Sequence, residues 1–484
     1  TLVGLRTLLF VTGDEHARIY RQELERFREA WTTIADATGV LSGIEIPEPL
    51  FVFCDVDRLK LGASWAMLDQ LRRGVLRRGS WPGLVLNQIS PTAAAFVTQL
   101  GDLLRGHGLN GTFATEDLNR AGELALKYHD KANYVDLVRS SSLPLPLHVP
   151  TAVVSVEQFL AVRRWPELVE LYRTATGDVE PAAVYVKSSR NSGGNIAARL
   201  TAHNFNTRGY SLCREVEENV RTRNVDFTEG VRGVRVEVDA SPTLAPLGIT
   251  DDRLLRYSRE QAQRRTGIHL LIQREIKGPA GGGHHHGIGV SWYIDSAEDA
   301  HPIVTATQVY KDADRHHYLG SYLGPHPLPQ TQSPEFIARV RNLCRLFAAE
   351  GWRGPISFDA CLNEAEQYEF VYDCNPRLTA VYPMLTVCEA LRRQGVSVQQ
   401  SFNLGYRGEF VWEKLDVQLQ LLKKHGLLFT KDHPSGAVVL PNLSRHTGYD
   451  VTLVNLDMPM IAEVMASRAF EQGFANPHVD RFYL

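Results

Sequence analysis

The chain has 484 residues, which at roughly 150 residues per domain allows about three domains and excludes a small disulfide scaffold. Hydrophobic residues make up 44% and charged residues 22%, with 38 Gly and 24 Pro, so wholesale disorder, collagen and coiled coil are excluded. Lysine and arginine number 52 against 55 acidic residues, and a net charge of −3 supplies no positive field toward nucleic acid or an anionic membrane, neither of which is an expected partner.

From Thr1 to about Thr115 apolar runs (TLLFV, LFVFCDV, GLVLN) alternate with helical stretches, from Asp14 and from Trp65 to Leu76, as in a small α/β layer. Tyr20, Leu24, Phe27 and Trp31 make one stripe of the first helix, and Gly39 supplies its stop. Between about Glu116 and Ala390 the pattern is broken by the loops SSRNSGGN and GPAGGGHHHGIG. A helix starts at Ser333-Pro334 and carries Phe336, Val340, Leu343 and Phe347 on one face. After about Gln400 an amphipathic helix ending near Gly426, a strand GAVVLPNL and a helix opened by Pro459 read as a small appended α/β domain. The fold class is α/β (α+β). Cys54, Cys213, Cys344, Cys361, Cys374 and Cys388 show no CxxC spacing, and no run approaches the ~18 apolar residues of a membrane span. TLLFV is too short for a signal segment, so a soluble cytoplasmic protein is expected.

Four segments carry chemistry. HDKANYVDLVRSSSLPLP opens a helix at Asp130-Lys131. AAVYVKSSRNSGGN ends a β-prone run at Lys187 and continues into a Ser/Gly loop, in which backbone N–H groups approach phosphate oxygens closely beside a lysine; a hairpin loop with a solvated lysine fits nearly as well. IHLLIQREI is an apolar strand whose end can present backbone to an adenine edge. GPISFDACLNEAEQYEFVYDCNPRLT reads as two strands joined by a polar turn, with Asp359 on the first and Asp373, Asn375 and Arg377 at alternate positions of the second. Two carboxylates and an amide oxygen aimed at one point suit Mg²⁺ on a triphosphate, with the arginine left for a transferring phosphoryl group.

In this order the four segments resemble the ATP-grasp superfamily over roughly residues 116 to 395. The resemblance implies ATP and Mg²⁺ as cofactors, an amino-terminal pre-ATP-grasp domain over 1–115, the ATP-grasp region over 116–395 and a carboxyl-terminal domain over 396–484. It assigns Lys131 and Lys187 to the ATP phosphates, Ser189 to Gly194 (with Gly193) to a phosphate lid, and Gln273, Arg274 and Ile276 to the adenine hinge. Asp359, Asp373 and Asn375 become magnesium ligands and Arg377 the catalytic arginine. Asp373 and Gln273 depart from the family, which usually has Glu at both positions. The flanking architecture is similar to the pheganomycin-type peptide ligases.

Consecutive His284, His285 and His286 cannot converge on one metal, and a solvated loop is favoured; His286, preceding GIGVSWYID, is placed near the ribose. Arg315, Tyr318 and Ser321 are candidate contacts of the acid substrate, with an ordinary turn slightly preferred. The expected activity joins a carboxylic or amino acid to an amine or peptide through an acyl phosphate, with release of ADP and phosphate, in peptide natural-product biosynthesis. Two alternatives stand beside it: a nucleotide-binding protein without turnover, and a biotin-dependent carboxylase component. The two substrates and the oligomeric state, a homo-oligomer included, are left open.

Overall fold

Strand pairing in the computed structural model sorts the chain into three sheets. The structure describes residues 7–12, 29, 32–39, 48–53, 83–85, 124, 127, 128, 130–189, 197–215, 269–275, 286–295, 299–310, 318–324, 334–363, 368–376, 379, 381–404, 415–442 and 448–467. The first sheet is parallel, β1 (Thr7–Thr12) lying between β2 (Glu48–Phe53) and β3 (Gly83–Val85). Parallel neighbours need crossover connections, as expected of the amino-terminal α/β layer. A helical stretch over 32–38 stops at Gly39, whose φ of 68° lies in the left-handed region that glycine adopts without strain. The stripe from Tyr20 to Trp31 and the helix expected over 65–76 lie outside the described residues.

The second sheet is antiparallel, in the order β5 (Thr151–Ser155), β8 (His269–Arg274), β6 (Ala183–Ser188), β7 (Ala197–Thr201). One face buries Val154, Val184, Val186, Leu270 and Ile272 against Phe159, Leu168 and Tyr172 of the helices Val156–Ala161 and Trp165–Thr176. Alternation turns Lys187 and Gln273 to the other face.

The third sheet has nine strands, in the order β15 (Gly436–Asn442), β16 (Gly448–Val454), β14 (Ser401–Leu404), β11 (Tyr318–Leu323), β10 (Ala300–Tyr310), β9 (His286–Ile294), β12 (Gly354–Asn363), β13 (Tyr368–Asn375), β4 (Leu147–His148). Ile288, Val290, Trp292, Ile356 and Phe358 pack on Phe336, Leu343 and Phe347 of the helix Pro334–Ala349, so the residues alternating with them face away from that core. The segment after 396, expected as an appended α/β domain, contributes β14, β15 and β16 to this same sheet.

Candidate active site

β12 and β13 form the expected hairpin, with Asp359 opposite Asp373 and Ser357 opposite Asn375. A bulge interrupts the register, because Ala360 pairs with Val371 while Asp359 pairs with Asp373, leaving Tyr372 as the extra residue. Its consequence is chemical. Val371 and Cys374, three apart, both enter the core under the Pro334–Ala349 helix, while Tyr372 and Asp373 meet Lys187 of the second sheet and Asn375 bonds Asp359.

The facing groups arrive from three places. Asp130 caps the helix Lys131–Arg139, its side chain accepting from Ala132 N at 3.1 Å, and so sets Lys131 at the first helical position. The Lys131 amide donates to the Ser189 carbonyl (2.8 Å), and its ammonium donates to Asp373 Oδ2. From β6, Lys187 Nζ lies 3.8 Å from the same carboxylate oxygen and donates to the Tyr372 carbonyl at 3.2 Å. From β8, Gln273 Nε2 donates to that carbonyl (3.2 Å) and to Thr151 Oγ1 (2.9 Å). Two sheets therefore meet at Asp373 and the bulge.

The carboxylates are bound differently. Asp373 Oδ1 accepts from Cys374 N (2.8 Å) and Oδ2 faces both lysines. Asp359 accepts from Asn375 Nδ2 on Oδ2 (3.0 Å) and from Gln308 Nε2 on Oδ1 (2.8 Å), two neutral amides. Burial and the neighbouring Asp373 push the Asp359 carboxyl up to about 6. Burial acts on Asp373 in the same direction, but the lysine ammoniums and their hydrogen bonding hold its carboxyl below the ordinary carboxylate value. Burial also pulls Lys187 down to about 8, partly offset by Asp373. Two carboxylates in register, with an amide beside them, are hard-oxygen groups of the kind a divalent cation takes.

The structure thus brings together Lys131, Lys187, Gln273, Asp359, Asp373 and Asn375. Ser189 is fully buried at the root of the Ser/Gly loop, its N–H donating to the His269 carbonyl (2.9 Å). Arg274 points to the opposite face of β8, where Nε lies 3.4 Å from Asp178 Oδ2, which also accepts from Tyr172 OH at 2.6 Å. Tyr318 OH and Ser321 Oγ share a hydrogen bond of 2.6 Å on β11, three strand spacings or about 14 Å across the sheet from β12. His286 opens β9 opposite Leu362. Gly193, Gly194, Ile276, His284, His285, Arg315 and Arg377 lie outside the described residues.

Three participants escape a reading of the sequence: Gln308, which bonds Asp359; Tyr310, whose hydroxyl donates to Gln308 Oε1 (2.6 Å); and Tyr372, which donates to the same oxygen (3.0 Å) and lies under Lys187 with its ring centroid 5.6 Å from Nζ. The one sequence signal for them is Gly287-x-Gly289, which bares the strip of β9 between Gln308 and Asp359.

No protein-family model matches the chain, and no curated protein matches it. Among solved structures it is similar to biotin carboxylase from Campylobacter jejuni in its β-γ-ATP complex (TM-score 0.44, 10% identity, 98% of this chain and 92% of that one). It is also similar to L-amino acid ligase from Bacillus licheniformis (TM-score 0.43, 10% identity, 97% and 98%) and to N5-carboxyaminoimidazole synthetase from Staphylococcus aureus complexed with ADP (TM-score 0.43, 9% identity, 97% and 98%). A likeness of this degree carries no functional conclusion.

Proposed function

We propose that the protein is an ATP-dependent carboxylate–amine ligase of the ATP-grasp kind. The observation that carries this reading is the meeting of Lys131 and Lys187 with the Asp359–Asp373–Asn375 group at one point between two sheets. Two ammoniums facing two carboxylates can take a triphosphate and its cation between them, each half neutralising one partner. Asp359, Asp373 and Asn375 would hold magnesium, which when bound offsets charge on the phosphate oxygens.

Gln273 spends its amide N–H groups on Thr151 and Tyr372, and Oε1 is assigned as the acceptor for the adenine amino group, a role in which an amide can stand in place of Glu. Lys131 and Lys187 orient the phosphates, and Arg377 offsets charge on the γ-phosphoryl as it moves. Gly193 and Gly194 are assigned to a phosphate lid whose closure would exclude water, and His286 is assigned to the ribose. A carboxylate oxygen of the acid attacks the γ-phosphorus and ADP leaves. The amine then attacks the acyl carbon and phosphate leaves, forming the amide. An amino-acid-like donor held near Arg315, Tyr318 and Ser321, and a peptide or amino-acid acceptor, make this a peptide ligase of natural-product assembly similar to the pheganomycin type.

The test uses hydroxylamine, which intercepts an acyl phosphate when the natural amine is withheld. Protein, magnesium, ATP, hydroxylamine and a panel of amino, guanidino and aryl acids are expected to give ADP and an acid-dependent hydroxamate. Appearance of AMP overturns the mechanism, stimulation by bicarbonate alone points to carboxylation, and nucleotide binding without any turnover points to a regulatory protein.

A further inference from the structure

We infer that Gln308 is a positioning residue that holds the Asp359 carboxylate in its metal-binding orientation; the inference rests on the assignment of Asp359 as a metal ligand above. Gln308 lies on β10 and Asp359 on β12, with β9 between them, a separation of roughly 10 Å at 4.7–4.9 Å per strand. The side chain spans that distance because β9 presents Gly287 and Gly289 on this face. Gly289 pairs directly with Asp359, and a Cβ on it would stand 4.0 Å from Gln308 Nε2. A Cβ on Gly287 would stand 2.9 Å from Gln308 Oε1 and 2.8 Å from the Tyr310 hydroxyl, so the amide passes where no other residue leaves room.

The orientation of the amide follows from its partners. Oε1 accepts from two phenols, Tyr310 at 2.6 Å and Tyr372 at 3.0 Å, and phenols at neutral pH are the donors in such pairs. Nε2 is thereby aimed at Asp359 Oδ1, at 2.8 Å. Flipping the amide would set a carbonyl oxygen against the Asp359 carboxylate, and this repulsion fixes the orientation, since a phenol can donate or accept. With Asn375 Nδ2 on the other oxygen, both ends of the Asp359 carboxylate are pinned by neutral donors. Each oxygen keeps a lone pair for a cation, and neither donor brings a positive charge that would compete with one. A lysine at 308 would pin the carboxylate equally well and repel the metal. Partners of this kind outside a ligand set typically change metal affinity by about 10- to 100-fold when removed.

The test reads binding rather than turnover, using Mn²⁺ with ADP and following the free-ion signal by electron paramagnetic resonance. Gln308→Met keeps the length of the side chain and removes both its donor and its acceptor. It is expected to weaken Mn²⁺ in the ADP complex by about 10- to 100-fold, while ADP affinity in EDTA stays near that of the unaltered protein; the melting temperature falls, because Tyr310, Tyr372 and Asp359 each lose a hydrogen-bond partner. Tyr310→Phe is expected to weaken Mn²⁺ by a smaller factor in the unaltered background and by nothing further when combined with Gln308→Met, since it acts through that amide. Unchanged Mn²⁺ affinity in Gln308→Met, or independent addition of the two effects, overturns the inference. If Gln308→Met does not fold, Tyr310→Phe decides alone, and unchanged affinity there has the same force. Asp359→Asn separates the two levels: if it binds Mn²⁺ as the unaltered protein does, the metal-ligand assignment falls and this inference falls with it.

Discussion

Asp359 and Asp373 are the same residue type in adjacent register, yet their surroundings drive their acidities apart. Burial and the neighbouring charge raise Asp359 to about 6, whereas Lys131 and Lys187 more than offset the burial of Asp373. A raised carboxyl stabilises the ligand-free fold below its unfolded value and loses that contribution as pH rises through about 6, so this group alone lowers stability between about pH 4 and 6. Metal binding runs the other way. A cation needs the ionised carboxylate, so below about pH 6 it must displace a proton, and the affinity for Mg²⁺ with nucleotide is expected to fall up to tenfold per pH unit. Calorimetry in two buffers of different ionisation enthalpy measures the proton released, which should approach one below pH 6 and vanish well above it. Asp373→Asn removes a raising influence and should move the midpoint down, but not to the unperturbed value, because burial is the larger cause. A pH-independent affinity would remove Asp359 from the ligand set.

Elements differ in how far their sequences announce them. The Lys131–Arg139 helix is signalled by Asp130, and Asp130→Ala is expected to lower stability by about 0.5–2 kcal/mol in denaturant melts, with Asp130→Ser restoring most of it. Nucleotide affinity should follow the same order, since the cap sets where Lys131 begins; equal affinity in Ala and Ser variants would detach the cap from the site. β6, β8 and the β12–β13 hairpin are legible for the same local reason: apolar alternation ends at a polar turn, and Lys187, Gln273, Asp359 and Asp373 can be placed on strands before any pairing is known. The bulge at Tyr372 is not legible, because an extra residue appears only against a partner strand. Strict alternation puts Val371 and Cys374 on opposite faces, and only the bulge lets both be buried together. Gln308 is hidden for a related reason. Nothing local in IVTATQVY shows that its amide crosses a neighbouring strand of glycines to reach a carboxylate 51 residues ahead.

At the scale of the whole molecule, strand order decides what counts as a unit. Composition and chain order set the segment after 396 apart, but β14 pairs with β11, so Ser321 stands opposite both Gln308 and Asn403 in one continuous sheet. The core agrees with the pairing: Val309, Leu319 and Tyr322 from β10 and β11, and Val387 and Leu391 from the helix Val381–Arg393, are buried in one cluster with Phe402, Leu422, Phe429, Val438, Leu453 and Ile461. Ile34 joins that cluster from the amino-terminal side, and Gly39 lies against the Lys431 side chain. A chain ending at 395 would uncover those five residues on the side that carries the candidate site at about 1.5–3 kcal/mol for each large apolar side chain, together comparable with the roughly 5–15 kcal/mol that holds a typical domain folded. It would also leave β11 as a bare edge next to the Tyr318–Ser321 pair, inviting strand-to-strand association. The 1–395 fragment is therefore expected to be insoluble, or to bind hydrophobic dye and melt without a cooperative transition. Co-expression with the 396–484 segment as a separate chain should restore some soluble material if complementation through β14 and the shared core is what the fragment lacks. A 1–395 fragment that melts cooperatively and binds ADP with unaltered affinity would show that the sheet closes its own edge at β11, and would return the carboxyl-terminal segment to the status of an appended domain.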